Sequence, residues 1–416
     1  MTAARGAGDL DESFDKDGKA FPLVSNNTFG YANDVLVSDN SKLFIPGRLL
    51  NDYSIVSLNT DGSMNTEFNN TGVVQSVFKN GFFSEARHIA MTSSNQILIS
   101  GFYHETDVLS HHAFAMYRQD GTINTDFGIA GKVVIPTTPQ LRKPQFPAIK
   151  STPCADGGIL VCSTQSLPNG ESIGMFYRLH KNGRIDHQFG DGNGFVYIRH
   201  PEHQTSINSI RVQPDGKLLV AGTLYVIDKS VCYVARCNID GKIDITFGEN
   251  GFFLAPVMGI VDQILDINLS MDGRIAAVGS SIVSGTQHGL LLCLTNDGCV
   301  DPEFNDGAPL LTKLDENNIG VNFRNVAYQG KDKIIVHGNS LGGEEADVLL
   351  ARYLTSGKPD QTFGSGEGWV RTKLTDSVDE GRGMFIQKDG RIVVCGAASI
   401  DGTFMGFRQF AARYLN

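Results

Sequence analysis

A short signature returns seven times along this chain of 416 residues, and that return limits the fold more than any other feature. Two copies are spelled alike, DGTINTDFGIAG at 120–131 and DGKIDITFGENG at 240–251. The others are GDLDESFDKDG (8–18), DGSMNTEFNNTG (61–72), NGRIDHQFGDGNG (182–194), DGCVDPEFNDG (297–307) and SGKPDQTFGSGEG (356–368). A phenylalanine anchors each: Phe14, Phe68, Phe127, Phe189, Phe247, Phe304 and Phe363, separated by 54, 59, 62, 58, 57 and 59 residues. A period of this length marks a repeat architecture whose units share their cores with neighbours.

The signature reads as a tight connection between strands. Asp-Gly or Asn-Gly supplies positive φ without Cβ strain, and the Asp or Asn that follows hydrogen-bonds its own backbone two residues on. The phenylalanine then buries a large ring that pins the loop. Stretches such as Asp15-Lys16-Asp17-Gly18 and Asp191-Gly192-Asn193-Gly194 resemble calcium loops. Their acidic positions change from copy to copy, and the full spacing ending in glutamate is missing, so they read as turns.

Read in order, the unit from Gly194 to Gly251 contains FVYIRH (195–200), INSIRVQ (207–213), KLLVAGT (217–223) and VCYVARCN (231–238) as four strands. QILISGF, RIAAVGS, KIIVHGN and RIVVCGA repeat the third, and FAMYR, MFYRL, LLLCL and LLARY repeat the fourth. Continuous apolar runs mean that both faces of these strands are covered. Seven such units predict an all-β fold, a seven-bladed β-propeller of four-stranded antiparallel blades spanning 1–416 as a single domain. The chain stops where other copies continue into their connection and begins with that connection. A strand at 19–24 therefore completes the last blade, formed by 381–416, which leaves no long edge exposed.

The pattern LVAGT…YVARCNIDGKIDITFGENGFF, with ARYLTSGKPDQTFGSGEGWV and MYRQDGTINTDFGIAGKVVI, closely resembles the delta-sixty repeat of bacterial propellers, over essentially the whole chain. The resemblance implies a propeller related in plan to the NHL type and implies no uniform chemistry. Gly8 lacks a preceding Asp and Phe304 is followed by Asn305, departures that touch two turns and not the fold.

Charge and cysteines narrow the function. The formal net charge is −10 with no lysine or arginine block, which excludes a tracker of nucleic-acid phosphates. No apolar run approaches a membrane span, and the amino terminus has no signal-peptide core, so the expected location is the cytoplasm, or export without a recognisable signal. The seven cysteines are odd in number and lack CxxC spacing, which reads as reduced, buried thiols.

Connectivity sorts the loops into a uniform set, holding the repeated connections, and a variable set: 103–112, 136–147, 166–172, 224–230, 282–288 and 341–347. Rigid scaffolds place binding on variable loops. His104, Glu105, Asp107, His111 and His112 crowd one of them; they offer metal-ligating atoms, but the reading preferred here is a solvated loop. No nucleotide-binding glycine pattern followed by a helix occurs, and no catalytic residue, metal or cofactor is assigned. The innermost strands begin on the variable side. Aligning their apolar pairs puts Asp34, His88, Ser209, Asp266 and Asn325 at one level and Asn33, Arg87, Asn208, Arg324 and Arg382 one residue earlier. Strict alternation would let only one row point inward. Asp34, Arg87, His88, Asn208, Asp266, Arg324, Asn325 and Arg382 are therefore the candidate ligand residues at the mouth of a central channel. Either the charged ones pair across blades, or the arginines take an anionic group. Two functions stay open: a monomeric, non-enzymatic binder of a protein or glycan, which ranks first, and a hydrolase or lyase at the channel mouth.

Overall fold

The computed structural model describes residues 5–22, 29–80, 83–106, 109–136, 148–166, 171–190, 192–200, 202–256, 258–314, 319–342, 345–399 and 406–416. It contains seven antiparallel sheets, and its fold is a seven-bladed β-propeller closed by an amino-terminal strand. Sheet one holds Gly30–Ala32, Leu36–Val37, Leu43–Leu49, Asp52–Leu58 and Val73–Ser76. Sheet two holds Ser84–Met91, Ile97–His104, Ser110–Tyr117 and Lys132–Ile135, and sheet three Ile149–Pro153, Ile159–Ser166, Ser172–Leu179 and Phe195–Ile198. Sheet four comprises Gln204–Val212, Leu218–Val226, Lys229–Cys237 and Phe252–Leu254; sheet five comprises Asp262–Leu269, Ile275–Val283, Thr286–Leu294 and Leu310–Thr312. Sheet six is Gly320–Gln329, Lys333–Gly342, Glu345–Leu354 and Trp369–Thr372. Sheet seven takes Asp379–Ile386, Ile392–Ser399 and Phe407–Tyr414 from the carboxyl end and Lys19–Ala20 from the amino end. The closing strand pairs Lys19 with Ala412 and Ala20 with Ala411; Leu23 and Val24, also expected in it, lie outside the described residues.

By its contacts the chain divides into two compact units, 1–43 with 58–64 and 258–416, and 44–57 with 65–257. Within each, the repeated signature builds a latch from copy to copy. The residue after the phenylalanine donates its N–H to the carbonyl just before the next copy's glycine. In the second unit Asn69 reaches Asp120 O at 2.8 Å, Gly128 reaches Asn182 O at 2.9 Å and Gly190 reaches Asp240 O at 3.2 Å. In the first, Asp15 reaches Asp61 O at 2.7 Å and Asn305 reaches Ser356 O at 3.0 Å. The glycine lies flat on the preceding phenylalanine. At Gly121, with φ +86°, a Cβ would stand 2.8 Å from Asn69 N and 3.1 Å from the Phe68 ring.

A buried arginine adds a second anchor that the sequence reading passed over. Arg236, Arg352 and Arg413 end the VARC, LARY and AARY strands, with their guanidinium carbons 4.8, 4.7 and 4.8 Å from the centroids of the Phe247, Phe363 and Phe14 rings. Their Nε atoms donate to Asp244, Asp360 and Asp11 at 2.7, 2.7 and 2.8 Å. The variable loops also differ from expectation. In sheet four the segment 224–230 continues the ladder, pairing Leu224 with Val231, Tyr225 with Ser230 and Val226 with Lys229, and only Ile227 and Asp228 turn. The segment 282–288 behaves likewise around Ser284 and Gly285. None of the seven cysteines is disulfide-bonded, and five are buried. No helix of the described residues is long and apolar enough to cross a membrane.

Candidate functional site

The first strands of five sheets break register at one and the same place. Pairing jumps from Ala86 to His88, Ile207 to Ser209, Ile264 to Asp266, Phe323 to Asn325 and Gly381 to Gly383. The residues passed over are Arg87, Asn208, Leu265, Arg324 and Arg382. A bulge of this kind sets two residues against one and re-aims a side chain. Alternation is interrupted there, so the two rows read from the sequence do not separate onto opposite faces as strict alternation requires. Each bulge faces a glycine of the neighbouring strand: Gly101, Gly222, Gly279, Gly338 and Gly396. A Cβ at Gly338 would stand 1.7 Å from Asn322 O, and one at Gly101 1.9 Å from Glu85 O. Sheet three pairs Ile149 through Pro153 without a jump and has Ser163 where the others have glycine. The glycine of LLVAGT and its relatives was thus the sequence signal for the bulge.

In the first unit the bulge arginines converge. Arg324 Nη2 donates to Glu380 Oε1 at 2.6 Å, while Arg382 Nε and Nη2 donate to Glu380 Oε2 at 3.1 and 2.8 Å. Arg382 Nη1 also reaches Asn33 Oδ1 at 2.9 Å, and its guanidinium carbon lies 4.5 Å from the centroid of the Tyr31 ring. Asn325 Oδ1 accepts from His337 Nδ1 at 2.8 Å. Asp34 accepts its neighbour's N–H, from Val35 at 2.9 Å, and buried Asp266 accepts from Val326 N at 3.4 Å. Three carboxylates therefore share this strand level with two arginines, and Glu380, which the sequence reading did not single out, is the hub. Nothing in the local sequence announces it, because its partner Arg324 lies 56 residues away in the neighbouring sheet.

In the second unit Arg87 stands 2.6 Å from the Glu85 carboxylate. His88 Nδ1 faces the Ser151 N–H at 3.4 Å and its hydroxyl at 3.3 Å, and Ser100 Oγ donates to Ser151 Oγ at 2.6 Å. The backbone N–H can only donate, so Nδ1 is the acceptor and the imidazole proton sits on Nε2. Asn208 is half-buried. The histidine group of the variable hairpin is not a solvated tip: His104, His111 and His112 are all buried. Each has its own partner. His104 Nδ1 meets Ser110 Oγ at 2.7 Å, and His111 Nε2 meets Glu105 at 2.8 Å. His112 sits between Tyr177 OH at 2.9 Å and Ser163 Oγ at 3.0 Å. Burial, and then the neighbouring His111, push His112 down to about 4. Asp107 lies outside the described residues, and among those described no three metal-ligating side chains come together.

Fold and bulges together define a β-propeller with polar residues in the middle of its first strands rather than at their starts as the sequence suggested. Three segments, 213–247, 272–304 and 332–363, match the family described as "Domain of unknown function (DUF5122) beta-propeller", and each ends on a signature phenylalanine. No curated protein matches the sequence. Among solved structures the chain is similar to the polysaccharide lyase Uly1, at 11% identity and a TM-score of 0.47, over 100% of this chain and 98% of that one. It is also similar to the Vanderwaltozyma polyspora Nup133 β-propeller domain, at 11% identity and a TM-score of 0.43, over 95% and 100%. The Hadza microbial sialidase Hz136 is similar at 10% identity and a TM-score of 0.43, over 91% and 74%. At these values none of the three bears on what this chain binds.

Proposed function

We propose that this chain is a non-enzymatic binding module, acting as a monomer, that takes a protein or glycan at the bulges of the first strands and the hairpins beside them. The observation behind the reading is the repeated bulge. It forfeits ladder pairing and demands a glycine opposite, and in four of five cases it presents Arg87, Asn208, Arg324 or Arg382. Polar residues maintained there, in strands otherwise apolar, fit contact with solvent or ligand. Arg324 and Arg382 both already pair with Glu380, so hydroxyl-rich or mixed-charge ligands suit the site better than a bare anion. The signature motifs further support membership of the delta-sixty-repeat propellers. A glycan array and a pull-down with the intact protein test the reading. Asn208→Ala should weaken capture of any ligand found while leaving the unfolding midpoint in place, and unchanged capture would sink it.

A further inference from the structure

We propose that the contact between sheets six and seven is an acid-sensitive seam, held shut by neutral His337 and loosened when a proton is added at its Nε2. The seam is built unlike those beside it. The position just before the bulge partner glycine, or before Ser163 in sheet three, holds Cys162, Ala221 or Val278 in sheets three, four and five, but His337 in sheet six. The residue before the bulge is Ile207, Ile264 or Phe323 in sheets four, five and six, but Gly381 in sheet seven. Small meets large at two other seams: Cys162 and Ile207 share one apolar cluster, and Val278 and Phe323 share another. Between sheets six and seven the sizes reverse and the contact turns polar. A Cβ at Gly381 would stand 2.2 Å from His337 Nε2. Asn339 holds the Gly381 backbone at both ends, accepting its N–H at 2.8 Å and donating to its carbonyl at 3.2 Å.

His337 is fully buried; its Nδ1–H goes to Asn325, and its Nε2 has no hydrogen-bond partner. Protonation there creates a donor aimed at an α-carbon. The charged groups around it are Arg324 on the adjoining strand and Glu380 and Arg382 flanking Gly381, while Leu350 faces it from the third strand. Burial first, and Arg324 second, push the imidazole down from 6.5 to about 3. An opened seam exposes the ring at its ordinary value, so the open state takes up the proton that the closed state refuses. Opening is therefore favoured as pH falls below 6.5, by about tenfold per pH unit and about fiftyfold between pH 6.5 and 4.5.

Hydrogen exchange of the intact protein, corrected for intrinsic exchange chemistry, tests this. In the wild type, opening of 379–386 should rise about fiftyfold over that range, while 262–269, which faces Val278, stays level. His337→Val and His337→Cys, residues found at this position in other sheets, should abolish the rise. A flat wild type, or a rise that persists in either variant, overturns the proposal. Should both variants fail to fold, the imidazole carbon shifts of wild-type His337 decide: titration below about 4 supports the seam, and titration near its ordinary 6.5 overturns it.

Discussion

Arg352→Ala tests the anchoring of the repeated signature. The side chain is 2% exposed. Its guanidinium donates to Asp360 at 2.7 Å, Thr362 at 2.9 Å, Asn416 at 3.2 Å and Gln329 at 3.4 Å. Truncation leaves Asp360 buried, facing only Lys333 at 3.5 Å among cations, and uncovers one face of Phe363. Removing one partner of a buried pair costs about 3–5 kcal/mol, and the remaining lysine puts the expected loss near 3 kcal/mol. The thermal midpoint is a poor readout, since a chain this long has an unfolding entropy of ~0.9 kcal/mol/K and would shift by only ~3 °C. Urea unfolding followed by near-ultraviolet dichroism is better. The double variant Arg352→Met, Asp360→Leu should recover most of the loss, because no charge is then stranded. A single-variant cost below about 1 kcal/mol would refute the anchor, as would a double variant worse than the single.

Gly338→Ala should cost about 2–3 kcal/mol or prevent folding, because its Cβ would stand 1.7 Å from Asn322 O, whereas Gly285→Ala, with open space around it, should cost about 1 kcal/mol; expression and urea midpoints check both. Deleting residues 1–24 removes the closing strand, the Asp11–Arg413 pair and buried Phe14, and should yield aggregates on size exclusion rather than a monodisperse peak. Buried His112, at about 4 in the fold, contributes stability present above its unfolded 6.5 and lost as pH falls toward 4, at about 1.4 kcal/mol per unit; His112→Gln should lower the slope of that stretch of the stability–pH curve by this share. Asp379 has the opposite sense among carboxyls: burial raises it, so its share of stability grows on acidification, and Asp379→Asn should remove that gain.

The fold was legible because its determinants are local and periodic. Phe68, Phe127 and their relatives, with the glycines that lie on them, repeat at fixed distances, and the complementary ends of the chain showed which strand closes the last sheet. The bulge was visible in principle, since an isolated glycine inside a strand signals one, but Gly222 and its equivalents were passed over as apolar strand positions. Arg236 and Arg352 looked like ordinary strand residues, because a buried arginine is recognisable only through its partner. The site was less legible for the same reason. Alignment found Arg324 and Arg382 but not Glu380, and it could not tell that three histidines of one hairpin would be buried against three different partners.

The most direct measurement of the binding account removes the hub as a unit. The triple variant Arg324→Gln, Glu380→Gln, Arg382→Gln keeps polar side chains and removes Glu380 together with both of its cationic partners. Calorimetric titration with the ligand identified on the array should show affinity at least about tenfold weaker, with the urea midpoint changed by less than about 1 kcal/mol equivalent. Full affinity in this variant would contradict the account and leave the bulges with a structural role alone.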